Sequence, residues 1–324
     1  MRSKQSFANF CLLLAAFLWG STFIAQAEST VGTFTYLACR SVIGALFLLP
    51  VILLMDGRRK KRGTFSKMTA AEKRVFLSAG ILCGIVLLTA SFLQQFGIDR
   101  GTAPGKAGFI TAMYILLVPI LGLFLKKRVA ARHWVCVGFG IVGLFLLCMT
   151  EGLTEFSLAA LFSAETLSGL SVQTADLYVI ACAVVYAVHI LLLDKFVPHI
   201  DPVKLSCLQF AVLAVVATVL ALLFEQPTWD GIWQSRLPIA YAGVLSSGVA
   251  YTLQAVAQRD ADASVASMLM SMESPFAVLS AIVFYGITTG VPQLPTPYEW
   301  VGIALMFAAI LISQYEPKKK TSQA

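Results

Sequence analysis

The sequence predicts an all-α integral membrane protein in which ten transmembrane helices form two inverted five-helix repeats. Three observations carry that prediction. The chain is 58% hydrophobic and only 13% charged, where an ordinary soluble domain carries roughly 25% charged residues; its mean hydropathy is +0.81. Apolar runs recur along its whole length, most of them near the ~20 residues that cross a bilayer as a helix. The second half of the chain repeats the first in its placement of polar residues and prolines inside those runs.

The runs lie at 8–26, 33–55, 75–96, 106–125, 133–149, 175–194, 203–224, 237–257, 263–285 and 299–315. They are called spans 1 to 10 below. The polar links between them are short, the longest being 56–74 and 150–174, and leave no room for a soluble domain. Residues 1–150 therefore hold the first five-helix repeat, 151–174 an extracytoplasmic connecting loop, and 175–324 the second repeat with a basic cytoplasmic tail.

Loop charges set the orientation, because cytoplasmic loops are rich in Lys and Arg. With the N-terminus inside, 20 of the 24 basic residues fall on the cytoplasmic side, including the run Arg58 to Arg62, Lys126 to Arg128 and Lys318 to Lys320. Arg100, Lys106 and Arg236 fall outside, and Arg40 sits within span 2. The 150–174 loop, placed outside, has Glu151, Glu155 and Glu165 and no basic residue. The net charge of +7 is thus a topology signal and not a nucleic-acid-binding surface. The run at 58–62 reads as an anchor facing anionic lipid. The place implied is a bacterial inner membrane, multi-pass, with both termini cytoplasmic.

Span 1 carries a false lead. Arg2 and Lys4, an apolar run and then Ala25-Gln26-Ala27 imitate a cleavable signal peptide. Yet LLAAFLWGSTF in span 1 matches VIACAVVYAVHI in span 6, with Trp19 on Tyr186 and Thr22 on His189. A segment with a structural counterpart is expected to be retained.

The repeat is most explicit in spans 3, 4, 8 and 9. A shift of 159 residues places Gln95 on Gln254, Arg100 on Arg259, Ala107 on Ala266 and Tyr114 on Glu273. Pro119 in span 4 frees the carbonyl of Ile115, and Pro275 in span 9 frees that of Ser271. In hydrocarbon such defects are tolerated where they face protein or a wet cavity, and interrupted helices in matching halves point to a binding site. Span 5 matches span 10 with Trp134 on Trp300, and Arg40 falls on Gln209. Five spans per unit is an odd count, so the second unit enters the membrane from the opposite side.

These features resemble the drug/metabolite transporter superfamily, of the EamA type. The resemblance rests on WGSTF at 19–23, Arg40, APGKAGFITAMYILLVP at 103–119, MESPF at 272–276 and the five-plus-five duplication, and it covers nearly the whole chain. It implies a bundle in which spans 1, 3, 4, 6, 8 and 9 surround a central cavity, spans 2 and 7 flank its openings, and spans 5 and 10 stand apart. It further implies a secondary active transporter that moves a small amphipathic metabolite, an amino acid or related amine or drug-like compound, by alternating access, with export as the family's direction. The alternatives are uptake of a cationic or aromatic metabolite and, in other classes, a membrane enzyme or a sensor. The chain has no Walker A sequence, GxSxG, HExxH or acidic pair at catalytic spacing, which argues against an enzyme and against nucleotide-driven transport.

Helical spacing sorts the in-span polar residues into faces. Ser264, Ser267, Ser271 and Ser274 form a small-residue stripe suited to close packing. Beside it run Ala266, Met270 and Glu273, matching Ala107, Thr111 and Tyr114, and this face is assigned to the cavity. Glu273 is the only carboxylate near the centre of a span, so it must be paired, wet or protonated. Its readings are a proton site, a partner for a cationic group, or a structural hydrogen bond. Gln94 and Gln95 of span 3 and Tyr251 and Gln254 of span 8 offer neutral hydrogen bonds, to a ligand or between helices. Trp19 with Thr22 and Tyr186 with His189 wall the pocket or pack the core. The candidate substrate-binding residues are therefore Trp19, Thr22, Gln94, Gln95, Thr111, Tyr114, Tyr186, His189, Tyr251, Gln254 and Glu273. Arg40 reads as structural.

The seven cysteines lie in or at the edge of apolar spans without CxxC spacing, and the three histidines are scattered, so neither a metal site nor a cofactor is expected. The partners implied are a small-molecule substrate, the lipid bilayer and protons as coupling ion, with the chain a monomer or homodimer. A reporter active only outside the cytoplasm, fused to Ala324, should be silent; strong activity would overturn the topology and the inverted repeat with it.

Overall fold

The structure is a computed structural model and describes residues 2–102, 104–126, 129, 131–148, 173–290 and 294–314. The acidic loop with Glu151, Glu155 and Glu165, part of the 126–128 basic run and the C-terminal tail lie outside these residues. Among the described residues every regular element is a helix. Eight helices are long and apolar enough to cross a membrane, and two shorter apolar ones, His133–Leu146 and Pro297–Ile312, occupy spans 5 and 10.

The helices run past the apolar runs where charge allows. Span 2 continues to Lys61, so that Arg58 to Lys61 make up its last turn, where cations suit the negative end of the helix dipole. Span 3 starts at Ala70 behind a capping box between Thr69 and Glu72. Span 7 starts at Pro202, with Asp201 accepting from the amides of Val203 and Lys204. Arg59 does more than face lipid. It reaches Asp201 at 2.7 Å, and Lys204 reaches Asp56 at 2.8 Å, so spans 2 and 7 are tied at this end.

Spans 4 and 9 are interrupted, but not where their prolines alone would put the breaks. Span 4 is Pro104–Ala112 followed by Tyr114–Phe124, and Pro119 lies inside the second helix. Span 9 is Ala263–Met270 followed by Glu273–Thr288, with Pro275 in the first turn of the second helix, a position that needs no intrahelical amide. The carbonyl of Ser271 is not left free: it accepts from the amide of Ser274 at 3.3 Å. What the two spans share is the turn itself, at Met113 and at Met272, which are 159 residues apart. Pro50 sits within continuous helix in span 2. Span 8 holds a feature no sequence pattern indicated, a π-helical stretch at Ala242–Ala250, and a short helix, Trp229–Gln234, precedes it.

Spans 2 and 7 pack on each other, as do spans 5 and 10, and spans 4 and 9 touch. The remaining large contacts come in matched sets when each span is exchanged for the one five places on: 3 with 6 and 8 with 1, 2 with 8 and 7 with 3, 1 with 9 and 6 with 4. Phe10, Leu53, Val215 and Phe224 stand among the side chains left exposed on the outside of the bundle, where hydrocarbon replaces water.

Glycines set how close the helices come. A Cβ on Gly20 would lie 2.5 Å from the carbonyl oxygen of Glu273 and 2.7 Å from the amide of Ala277. Backbone meets backbone there, so spans 1 and 9 approach as closely as two helices can. Gly143 meets the carbonyl of Gly302 in the same way between spans 5 and 10. Gly20→Ala should lower stability by about 1–3 kcal/mol through overpacking, read as a fall in thermal midpoint. Gly57→Ala, in the same kind of helix with open space around it, should leave the midpoint unchanged or raise it.

Candidate functional site

A central cavity, with about 530 Å³ of space between atoms, runs through the middle of the bundle. Its walls come from spans 1, 3, 4, 6, 8 and 9, with one side chain, Arg40, from span 2.

The breaks in spans 4 and 9 build its floor. Each is followed at once by a cavity residue, Tyr114 in span 4 and Glu273 in span 9. The phenol of Tyr114 donates to Oε1 of Glu273 at 2.9 Å. Glu273 heads its helix, where the dipole favours a negative charge. No cation pairs with it among the described residues.

An aromatic wall stands beside this pair. Trp19 meets Tyr251 edge-on at 4.8 Å between ring centroids, and Phe210 backs Tyr251 at 5.4 Å. The hydroxyl of Tyr186 lies 3.3 Å from that of Tyr251 and 3.3 Å from Ser91. The indole Nε1 of Trp19 has no partner. His189 is fully buried, with Nε2 3.1 Å from Oε1 of Gln209 and Nδ1 unpartnered.

Arg40 closes another side. It is 5% exposed, and its guanidinium donates to Ser246 and Ser247, each at 3.1 Å. No carboxylate pairs with it among the described residues. A buried charge held only by neutral hydroxyls is costly. Arg40, read from the sequence as structural, also lines the cavity.

Ten of the eleven candidate side chains meet in this one cavity: Trp19, Thr22, Gln94, Thr111, Tyr114, Tyr186, His189, Tyr251, Gln254 and Glu273. Gln95 does not. Adjacent residues on a helix point about 100° apart; Gln94 donates to Thr111 at the cavity, while Gln95 accepts from Gln26 and donates to Asp99 near the C-terminal end of span 3. Thr22 lines the wall but donates to its own helix at Leu18, 2.6 Å away. Gln254 keeps an unpartnered Oε1. Met270 joins the lining, whereas Ala266 and Ala107 are core. The serine stripe turns inward on itself, Ser267 donating to Ser264 and Ser271 to Met268.

Gln26, Ile190 and Ser246 complete the lining and were not singled out by sequence. Gln26 sat in the imitation of a cleavage site, and Ser246 lies in the π-helical stretch, where helical spacing of 3.6 misplaces it. Among the described residues no three His, Cys, Asp or Glu side chains cluster as metal ligands would.

The model of the EamA-like transporter family matches residues 6–149 and 173–315. An uncharacterized transporter of Archaeoglobus fulgidus is 23% identical over 312 residues, covering 95% of this chain and 86% of the relative. The uncharacterized transporter YwfM of Bacillus subtilis is 24% identical over 326 residues, covering 99% and 98%. A protein of known crystal structure shares the fold with a TM-score of 0.68 at 18% identity, over 95% of this chain and 96% of its own. With two matched stretches that together span most of its length, this multi-pass membrane protein belongs to the EamA-like transporter family.

Proposed function

We propose that the cavity binds a small zwitterion, an amino acid or a close relative, and that the protein carries it across the inner membrane by alternating access, in the direction of export. The observation that carries this reading is a buried guanidinium, Arg40, and a buried carboxyl group, Glu273, in one aromatic-walled cavity, neither with an ion-pair partner among the described residues. Arg40 supplies a planar donor suited to a carboxylate. Glu273 supplies an acceptor for an ammonium, and Trp19, Tyr186 and Tyr251 offer ring faces to a cation or an apolar side chain. A zwitterion satisfies both charges at once; a simple amine would leave Arg40 without an anion.

In this reading residues 1–150 and 175–324 are repeats of opposite orientation, both termini are cytoplasmic, and the halves exchange conformations about the midplane site. Protons serve as the coupling ion, with Glu273 as the group that carries them. The side chains that would contact the substrate are those of the cavity wall, with Gln95 acting on the outer closure instead.

Binding separates the zwitterion from its rivals. In purified protein, amino acids should raise the thermal midpoint more than their amides or decarboxylated amines. Arg40→Gln should erase the preference over amines, and Glu273→Gln the preference over acids lacking the amino group. Each should cost about 2–5 kcal/mol of binding, as expected when one buried partner of a charge pair is removed. Equal binding of amines and amino acids by the parent would favour a cationic metabolite instead. Flux into proteoliposomes separates transport from an enzymatic or sensory role.

Coupling is tested in the same vesicles. Glu273→Gln keeps the shape and can still accept from Tyr114 but cannot ionise. At substrate concentrations raised to offset its weaker binding, it should exchange substrate for substrate, yet fail to accumulate it under an imposed pH gradient. A variant that still moves substrate uphill under that gradient would make Glu273 structural and end the coupling reading.

A further inference from the structure

A second concavity lies on the outside of the bundle, between spans 2, 7 and 8, and no part of the transport reading uses it. It holds about 1120 Å³ of space between atoms. Small side chains create it: Ala38 and Cys39 of span 2, Ala221 of span 7 and Ala240 of span 8 stand where larger residues would close the gap. It lies behind the central site, because span 2 turns Arg40 to the cavity and Cys39 and Ile43 to the groove.

Away from the rim, the hydroxyl donors of the walls are already used. The hydroxyl of Thr35 donates to Glu225 at 2.6 Å and that of Thr218 to the carbonyl of Ala214 at 2.7 Å. A polar ligand would lose its water and gain nothing there. An apolar chain would lose nothing.

The rim is of a different kind. The short helix Trp229–Gln234 carries two exposed indoles, Trp229 and Trp233, stacked at 6.5 Å. The guanidinium of Arg236 lies 5.0 Å over the Trp233 ring and donates to the Trp233 carbonyl at 2.9 Å. Among the described residues no carboxylate pairs with it. Exposed tryptophans beside a cation mark the level of lipid headgroups, and the loop charges place this end outside.

We propose that this groove is a phospholipid site: it takes one acyl chain from the outer leaflet, and Arg236 holds the anionic headgroup. A membrane protein's groove is filled by whatever surrounds it, and here a dry slot ends in a single unpaired cation at headgroup depth. An anionic phospholipid matches both the apolar wall and the charge. Its tail would press on the π-helical stretch through Ile43, whose side chain comes within 2.7 Å of where a Cβ on Gly243 would lie, and so lies one helix away from Arg40.

The test counts bound lipid by native mass spectrometry of the purified full-length protein, mixed with phosphatidylglycerol or with phosphatidylcholine. The parent should retain one phosphatidylglycerol at least tenfold better than phosphatidylcholine. Ala240→Trp, which fills the slot, should reduce retention of both lipids about tenfold. Arg236→Gln, at an exposed position, should bind the two equally, and it decides the matter alone if the tryptophan variant does not fold. No preference in the parent, or retention unchanged in the variants, would overturn the proposal. So would a parent dimer that Ala240→Trp dissociates, since the groove would then belong to a second copy of the chain.

Discussion

The hydrogen bond from Tyr114 to Glu273 is the contact on which the rest of the site depends. The two residues are 159 positions apart and correspond to one another in the repeat. Each is the first residue of a helix that resumes after a turn, at Met113 and at Met272. A hydrogen bond contributes about 0.5–1.5 kcal/mol between neutral groups and about 1.5–3 kcal/mol when one is ionised, and here it joins the interrupted spans at the level of the cavity. The close approach of span 1 at Gly20, directly against the Glu273 carbonyl, fixes the span 9 break from the other side. The carboxylate is therefore held by the backbone behind it and by one phenol in front, leaving its remaining valence for the cavity.

Much of this was legible in the sequence because membrane spans are long and their exceptions few. A mid-span glutamate or an i, i+3 pair such as Trp19 and Thr22 stands out against leucine and valine, and the repeat places each beside its counterpart. Ten candidate residues converge on one cavity for that reason. Misreadings have physical causes. Gln94 and Gln95 point about 100° apart, and only Gln94 reaches the cavity; composition does not say which of the two does. Pro119 and Pro50 lie within helices, so a proline marks a place where a break is tolerated and not the break itself. The π-helical stretch in span 8 changes the spacing that sorts faces, which hid Ser246.

Arg40 was ambiguous in the sequence because a cation a third of the way into a span can reach outward to headgroups or bond the backbone. The structure removes the first option. Tyr36 lies beneath the guanidinium at 5.8 Å and the serines of span 8 receive its protons, so the charge points inward. The serines can do so because span 2 approaches span 8 across glycines: Gly44 faces Ser247 and Gly243 faces Ile43, both too close for a Cβ. A small-residue seam, ordinarily read as packing, thus also aims a charge.

Both ends of spans 2 and 7 are tied by modest bonds of different kinds. At the Arg59 end the ties are ion pairs, Arg59 to Asp201 and Lys204 to Asp56; partly exposed pairs of this sort are worth roughly 0–1 kcal/mol each. At the other end Glu225 accepts from the amides of Phe34 and Thr35, both at 2.8 Å, and the chain Gln26, Gln95, Asp99 and Thr33 is linked by hydrogen bonds. Exchanging such bonds for water costs about 0.5–1.5 kcal/mol apiece. In the proposed alternating-access reading, opening either end would exchange these few polar bonds for water while leaving the helices themselves intact. A ligand shifts an equilibrium by no more than its differential affinity for the two states, and two charge contacts made in one state and lost in the other supply that amount. The hydrogen-bonded chain at the Glu225 end begins at Gln26, which itself lines the cavity, so in the proposed reading a zwitterion held between Arg40 and Glu273 would act on a residue that belongs to that chain.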